Sequence, residues 1–331
     1  MTPDLMYQVC IFIFGTIVGS FLNVCIVRLP QEKSVVFPAS YCPSCEKPLK
    51  WYHNVPLISY AILLGKCCFC QTRISFRYFL VELLTGLIFL GFYSLIGMQW
   101  LLLPYLVMVS GFIVATFVDF EHRIIPDEIS VGGMFVGFLF SLFFVNMHQI
   151  TPENIVVGAY FMRGLALFFI VLQLGYCLIK KKVTDDDRFF FMILVAFVAV
   201  EYFVASLVGM GLIPMSLHLA SLQASIHGAF IGGGLIYFMG LIGDWIFKKE
   251  SMGGGDVKLL AMIGAFLGWK LAILTFFLAP FFGAVVGIIQ KIRTKESAIA
   301  YGPYICMAAV ISLFWGNWII VWVLNGYQIP G

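Results

Sequence analysis

Two acidic residues in this sequence stand at the ends of long apolar runs. Asp119 closes one run and leads into Phe120-Glu121-His122-Arg123-Ile124-Ile125-Pro126-Asp127-Glu128. Asp256 follows Met252-Gly253-Gly254-Gly255 and precedes Val257-Lys258. A pair of carboxylates has a hydrolytic use: one ionised partner activates water while one protonated partner donates to a peptide carbonyl oxygen. Two close carboxylates share a proton because both cannot ionise cheaply, and low dielectric near a membrane sharpens the effect. The three glycines permit tight or positive-φ backbone and leave little bulk beside Asp256, so a peptide can approach it. Each acid also has a plain structural reading, a water-facing helix end for Asp119 and a helix N-cap for Asp256. Spacing alone leaves Glu121, Asp127 and Glu128 as rivals to Asp119.

A second constellation is made of sulfur. Five of the nine cysteines fall in one polar segment, as Cys42-Pro43-Ser44-Cys45 and, 21 residues later, Cys67-Cys68-Phe69-Cys70. Two C-x-x-C knuckles at that separation suit a tetrahedral thiolate zinc site with Cys42, Cys45, Cys67 and Cys70 as ligands, and they leave Cys68 without a role. A polar segment of about 50 residues has too small a core to order itself readily, and a structural metal supplies folding energy there. Disulfides are the competing reading, disfavoured if the segment lies in a reducing cytoplasm. Cys10, Cys25, Cys177 and Cys306 sit in apolar runs and read as small buried residues.

The elements that must carry these groups are membrane helices. The 331 residues are 61% apolar and 11% charged, with a mean hydropathy of +0.99. A soluble chain is usually about a quarter charged, so too little polar surface exists to face water all round. Stretches 5–27, 83–118, 129–152, 202–243, 271–290 and 297–331 carry no charge at all, and a helix needs about 20 apolar residues to cross a bilayer. The expected fold is an all-α polytopic membrane protein of about ten transmembrane helices, near 5–27, 78–97, 100–118, 129–147, 155–179, 189–212, 222–247, 257–270, 271–290 and 302–325. No Lys or Arg precedes residues 5–27 and no small-residue cleavage site follows, so that stretch reads as a retained helix. With the N-terminus outside, only Arg163 and Lys270 of the 20 Lys and Arg fall on the outer half. The positive-inside rule then puts both Asp119 and Asp256 at the cytoplasmic boundary, 137 positions apart in sequence but at one depth.

Some finer expectations follow. Gly15 and Gly19, Gly228 and Gly232, and Gly283 and Gly287 each place two glycines on one helix face for close packing. Glu82 and Asp244 read as interface residues reaching to the inner face, and Glu201 as a partner of Arg163. The net charge of +3 suggests nothing about nucleic acid.

These residues closely resemble the type IV prepilin peptidases, also called leader peptidase/N-methyltransferases. The resemblance runs through Gly19-Ser20-Phe21-Leu22-Asn23-Val24 to Arg28-Leu29-Pro30, the paired cysteine knuckles, Asp119 to Pro126-Asp127, and Gly253-Gly254-Gly255-Asp256-Val257-Lys258-Leu259-Leu260 to Gly264-Ala265. Tyr301-Gly302-Pro303-Tyr304 looks similar as well. The G-x-G-D element is shared more loosely with presenilin-type membrane aspartyl proteases. The resemblance implies a bifunctional enzyme of the bacterial inner membrane. Such an enzyme removes the leader of prepilins or pseudopilins after a glycine on the cytoplasmic side. It then methylates the new N-terminus with S-adenosylmethionine. It maps the two catalytic aspartates onto Asp119 and Asp256 and associates methylation with the knuckled segment and the Gly19–Pro30 block. It also implies pilins and membrane lipids, not nucleic acid, as partners. The separation of the two aspartates exceeds the family's usual spacing, and two extra spans around 148–221 account for the excess; an even number is needed to keep Asp256 inside.

The domain expectation is a first helix in 1–27, a cytoplasmic zinc-knuckle domain in 28–77, helices with the first aspartate in 78–147, an inserted pair in 148–221, and the G-x-G-D helices in 222–331. Two other functions compete: a leader peptidase without methylation, and a proton-coupled transporter, which would place its acids near mid-membrane at broken helices.

Overall fold

A computed structural model describes residues 3–42, 44–148, 163–175, 216–248, 252–294 and 300–324, with scattered positions between 192 and 210. Among these the chain is helical, and the β pairing consists of isolated bridges inside the cysteine segment. Helix α1 is Pro3–Arg28, α2 the short Ile58–Ile62, α3 Phe76–Ile96, α4 Leu102–His122 and α5 Asp127–Phe143. Then come α6 at Arg163–Gly175, α7 at Leu217–Phe247, α8 at Gly254–Leu267, α9 at Trp269–Thr294 and α10 at Gly302–Leu324.

Six of these helices, α1, α3, α4, α7, α9 and α10, are long and apolar enough to cross a membrane. The expected 129–147 and 257–270 helices exist but run only 17 and 14 residues. At 1.5 Å per residue α8 is about 21 Å long, short of a bilayer core of about 30 Å. Its second half is almost wholly buried, so it is wrapped by protein along much of its length. The expected 155–179 and 189–212 helices fall largely outside the described residues, as do Lys180–Lys182 and Asp185–Arg188.

Local signals set the helix ends that matter. The Ser75 hydroxyl caps α3 by accepting from the Arg77 N–H at 3.3 Å, the ordinary role of Ser at an N-cap. Helix α4 ends where Arg123 turns left-handed at φ 56°, its N–H donating to the Asp119 carbonyl at 2.9 Å. Helix α8 ends at Gly268, whose φ of 78° suits glycine.

Two backbone-to-backbone seams hold the bundle. A Cβ on Gly15 would lie 2.8 Å from the Gly86 Cα, and one on Gly19 2.8 Å from the Glu82 Cα, so α1 and α3 touch where only glycine fits. The α7–α8 seam is tighter still: a Cβ on Gly228 would sit 2.0 Å from the Gly264 carbonyl oxygen, and one on Gly232 2.3 Å from that of Leu260. Small residues let helix backbones approach this closely. The third glycine pair behaves differently. A Cβ on Gly283 would meet Tyr304 at 3.5 Å, an ordinary contact, so that pair marks no seam.

Two acids in or near the spans have defined partners. Glu82 is 8% exposed and accepts the Leu57 N–H, from the cysteine segment, at 2.8 Å. Its helix faces the folded cysteine segment there, and the carboxylate satisfies a backbone donor of that segment. Glu201 takes its hydrogen bonds from α7, with His227 Nε2 at 2.8 Å and Gln223 Nε2 at 3.0 Å, while the Arg163 charge also bears on it.

Candidate active site

Asp119 lies in the last turn of α4 and is 6% exposed. Its Oδ2 accepts the backbone N–H of Gly302, the first residue of α10, at 2.9 Å. A Cβ at position 302 would fall 2.9 Å from that same oxygen. The α10 terminus therefore comes this close to the carboxylate because residue 302 has no side chain. The positive end of the α10 dipole also faces the carboxylate. The Arg123 guanidinium is near enough for its charge to act on Asp119.

Asp256 occupies the first turn of α8, with its N–H donating to Gly253 O at 3.1 Å. Gly253 rather than Asp256 is the N-cap, and its backbone is extended at φ −75°, ψ 140°, not left-handed. The glycines thus serve close approach, not unusual dihedral angles. A Cβ on Gly255 would press on the Ile125 Cβ at 3.2 Å, whereas one on Gly254 would meet nothing within 4 Å. The loop from Arg123 to Pro126 therefore packs on Gly255, with Ile125 8% exposed beneath it. Open space remains beside Gly254.

The structure brings the two aspartates into one site, where the Asp119 charge acts directly on Asp256. Two tyrosines from the start of α10 join them. Tyr301 feels the Asp256 charge and Tyr304 the Asp119 charge. Burial, with the Asp256 charge adding to it, pushes the Tyr301 phenol up to about 12, so it stays a hydrogen-bond donor at neutral pH. The sequence reading had no role for Tyr301 or for the Gly302 N–H. Their one signal was the Tyr-Gly-Pro-Tyr resemblance, which gives no contact.

The rival acids point elsewhere. Glu121 forms a two-pronged ion pair with Arg77 at the start of α3. Asp127 takes the Lys258 ammonium on both oxygens, at 2.7 and 2.8 Å. Glu128 is exposed. The Asp127–Lys258 pair spans α5 and α8 beside the site, but its side chains are 62% and 45% exposed. Exposed pairs contribute about 0–1 kcal/mol, so Lys258→Met is expected to reduce hydrolysis less than about fivefold, as read by initial rates of the purified enzyme.

The four cysteines Cys42, Cys45, Cys67 and Cys70 also converge, their sulfurs all within 4.8 Å of one another. The two knuckles fold alike. Cys42 N–H donates to Lys47 O at 3.1 Å and Cys67 N–H to Thr72 O at 2.9 Å. Glu46 and Gln71 N–H return to Cys42 and Cys67 O at 2.8 and 3.0 Å. Both Glu46 and Gln71 turn left-handed, at φ 56° and 58°. Cys42 Sγ and Cys70 Sγ are 3.8 Å apart. Four metal–sulfur bonds of about 2.3 Å in a tetrahedron give sulfur separations of about 3.8 Å, whereas a disulfide needs about 2.0 Å. The donor set therefore fits a tetrahedral metal. Cys68 is not one of the four, and its Sγ lies 3.5 Å from His53 Nδ1.

Comparison with known proteins adds an independent line. The model of the bacterial peptidase A24 N-terminal domain matches residues 13–96 and that of the type IV leader peptidase family matches 202–288. The first stretch carries the knuckles and the second carries Asp256, while Asp119 lies between them. A prepilin leader peptidase/N-methyltransferase of Myxococcus xanthus is 32% identical over 88% of this chain and 65% of its own length. Proteins of the same name from Stutzerimonas stutzeri and Pseudomonas aeruginosa are each 28% identical over 95% of this chain and 92% of theirs. The chain thus spans just under two thirds of the Myxococcus relative and nearly all of the other two. No solved structure matches.

Proposed function

We propose that this chain, which the type IV leader peptidase family model matches over residues 202–288, is a bifunctional membrane aspartyl endopeptidase of that family. It cleaves the leader from type IV prepilins or pseudopilins after a glycine, and it N-methylates the new N-terminus. The observation that carries the reading is the convergence of Asp119 and Asp256, from the ends of α4 and α8, on the first turn of α10.

In this reading the scissile peptide enters the open space beside Gly254. One carboxylate of the pair takes a proton from water as it attacks the carbonyl carbon. The other, protonated, donates to the carbonyl oxygen. Two carboxylates that share a site cannot both ionise cheaply, which assigns the two roles. The Gly302 N–H fixes the Asp119 carboxylate, and the Tyr301 hydroxyl is a second donor to an oxygen gaining negative charge.

Topology supports the placement. With the inserted helices even in number, about ten spans put both aspartates at the cytoplasmic face of the bacterial inner membrane, and the basic residues cluster on that side. Segment 28–77 is then a cytoplasmic zinc domain held by Cys42, Cys45, Cys67 and Cys70, and 148–221 an added helical pair. A structural zinc makes ordering of that segment depend on metal. Cys42→Ser and Cys67→Ser are expected to drop bound zinc from one atom per chain to none, measured by elemental analysis of the purified protein; full retention contradicts the ligand set.

Methylation uses S-adenosylmethionine, which supplies an electrophilic methyl group for the freed amine. The whole reading is tested by incubating the enzyme with a prepilin and this donor and weighing the product. Loss of the leader mass plus gain of one methyl is expected. An intact prepilin overturns the peptidase reading, and a cleaved but unmethylated product leaves a peptidase alone.

A further inference from the structure

The cysteine segment carries apolar side chains that its own fold does not cover. Helix α2 has five residues, and Ile58 and Ile62, four apart on it, lie on one face. They are 58% and 74% exposed, and Leu64, just past the helix end, is 82% exposed. Leu64 also stands in the left-handed region, at φ 49°, where a helix end usually has glycine. A leucine there accepts backbone strain and still leaves its side chain uncovered. Large exposed apolar side chains gathered in this way mark a surface with a partner.

The position of α2 says which partner. Helix α3 is an apolar span of 21 residues, about 31 Å long at 1.5 Å per residue. A bilayer core is about 30 Å thick, so the span has no length to spare and its first residue, Phe76, falls at the core boundary. Leu57, the N-cap of α2, donates its N–H at 2.8 Å to Glu82, six residues inside that span. Six residues of helix rise about 9 Å. The Tyr60 ring of α2 packs on Phe76 and Phe79, with centroids 6.3 and 5.5 Å apart. Helix α2 therefore lies beside the first two turns of α3 and not beyond its end. Phe76, Leu80 and Leu87, on one face of α3, are exposed as well.

Charge points the same way. Residues 47–81 hold five Lys and Arg and no Asp or Glu. Lys66 and Arg73, both exposed, pair across the second knuckle, and Lys66 is two residues from Leu64. A basic rim around apolar side chains suits anionic lipid headgroups. We propose that α2 and Leu64 form an interfacial anchor, seated at the headgroup–acyl boundary of an anionic phospholipid leaflet on the aspartate side of the bundle. The Arg77–Glu121 pair, which ties the start of α3 to the end of α4, sets that side. Interfacial helices sink their apolar face about 5–10 Å, the depth that the Glu82 contact gives α2. The cysteine segment is then held on the membrane surface by its own side chains, not only by its chain ends.

The test uses the full-length enzyme in phosphatidylglycerol nanodiscs whose lipids carry a photoactivatable diazirine high on the acyl chain. After irradiation and trypsin digestion, lipid adducts are expected in peptide 51–66, which carries α2, and in peptide 296–331, which carries the span α10. Ile62→Asp combined with Leu64→Asp is expected to lower the 51–66 yield about fivefold or more, because the apolar contacts with lipid are lost. The 296–331 yield should not change. Phosphatidylcholine discs are expected to give less 51–66 adduct than phosphatidylglycerol discs. A wild-type 51–66 free of lipid adduct, whether bare or covered by a second copy or by prepilin, overturns the anchor. So does a 51–66 yield that the double variant leaves unchanged. Equal yields in the two lipids overturn the anionic preference.

Discussion

Asp119→Asn and Asp256→Asn are each expected to lower leader cleavage by about 10³-fold or more while leaving the protein folded. A positioned acid or base is worth about 10²–10⁴-fold on its own, and groups that act as a unit lose nearly everything when either is removed. Asn is nearly isosteric with Asp, and its amide oxygen still accepts the Gly302 N–H, which is 2.9 Å from Asp119 Oδ2 in the native protein. Rates measured with a purified prepilin, together with an unchanged thermal transition, check the prediction. Glu121→Gln and Asp127→Asn serve as controls, since both acids are paired away from the site with Arg77 and Lys258.

The second large effect is remote from the chemistry. Gly264→Ala puts a methyl group 1.9 Å from the Gly228 carbonyl oxygen and 2.4 Å from its carbon, both backbone atoms that no rotamer change can move. Helices α7 and α8 must separate by about an ångström or more, at a cost of about 1–3 kcal/mol or somewhat above. Asp256 rides on the first turn of α8, so the same shift pulls it from Asp119. A misplacement of about 1 Å in a reacting group costs about 100-fold, and cleavage is expected to fall by that order along with thermal stability. Gly91→Ala is the contrast: a Cβ there meets nothing within 4 Å, and removing a mid-helix glycine is worth about 0.5–1 kcal/mol in the stabilising direction.

Much of this was legible in the sequence because membrane helices carry a coarse signal. Uncharged stretches of 20 residues are enough to mark the six long apolar helices among the described residues. The paired C-x-x-C knuckles are similarly local, and the convergence of their four sulfurs needs only two tight turns facing each other. Two of the three glycine pairs mark true seams for the same reason, while Gly283 shows that the pattern alone does not say what lies opposite.

What escaped the sequence depends on contacts between distant segments. Nothing near Glu82 announces that it would accept the Leu57 N–H, 25 residues away. Nor does hydropathy separate a 14-residue buried helix such as α8 from a full span, because both read as apolar. The first turn of α10 was visible only as a resemblance. Its Gly302 N–H and Tyr301 gain meaning once Asp119 is seen 183 positions away.

The two aspartates are claimed to work as one unit, and a double-mutant comparison addresses that claim most directly. Leader cleavage by the purified enzyme is measured for Asp119→Asn, Asp256→Asn and the double variant. The expected result is that all three fall to one common floor, because neither acid does chemistry without the other. A single variant that keeps substantial cleavage, or a double variant far slower than either single, would contradict a shared dyad.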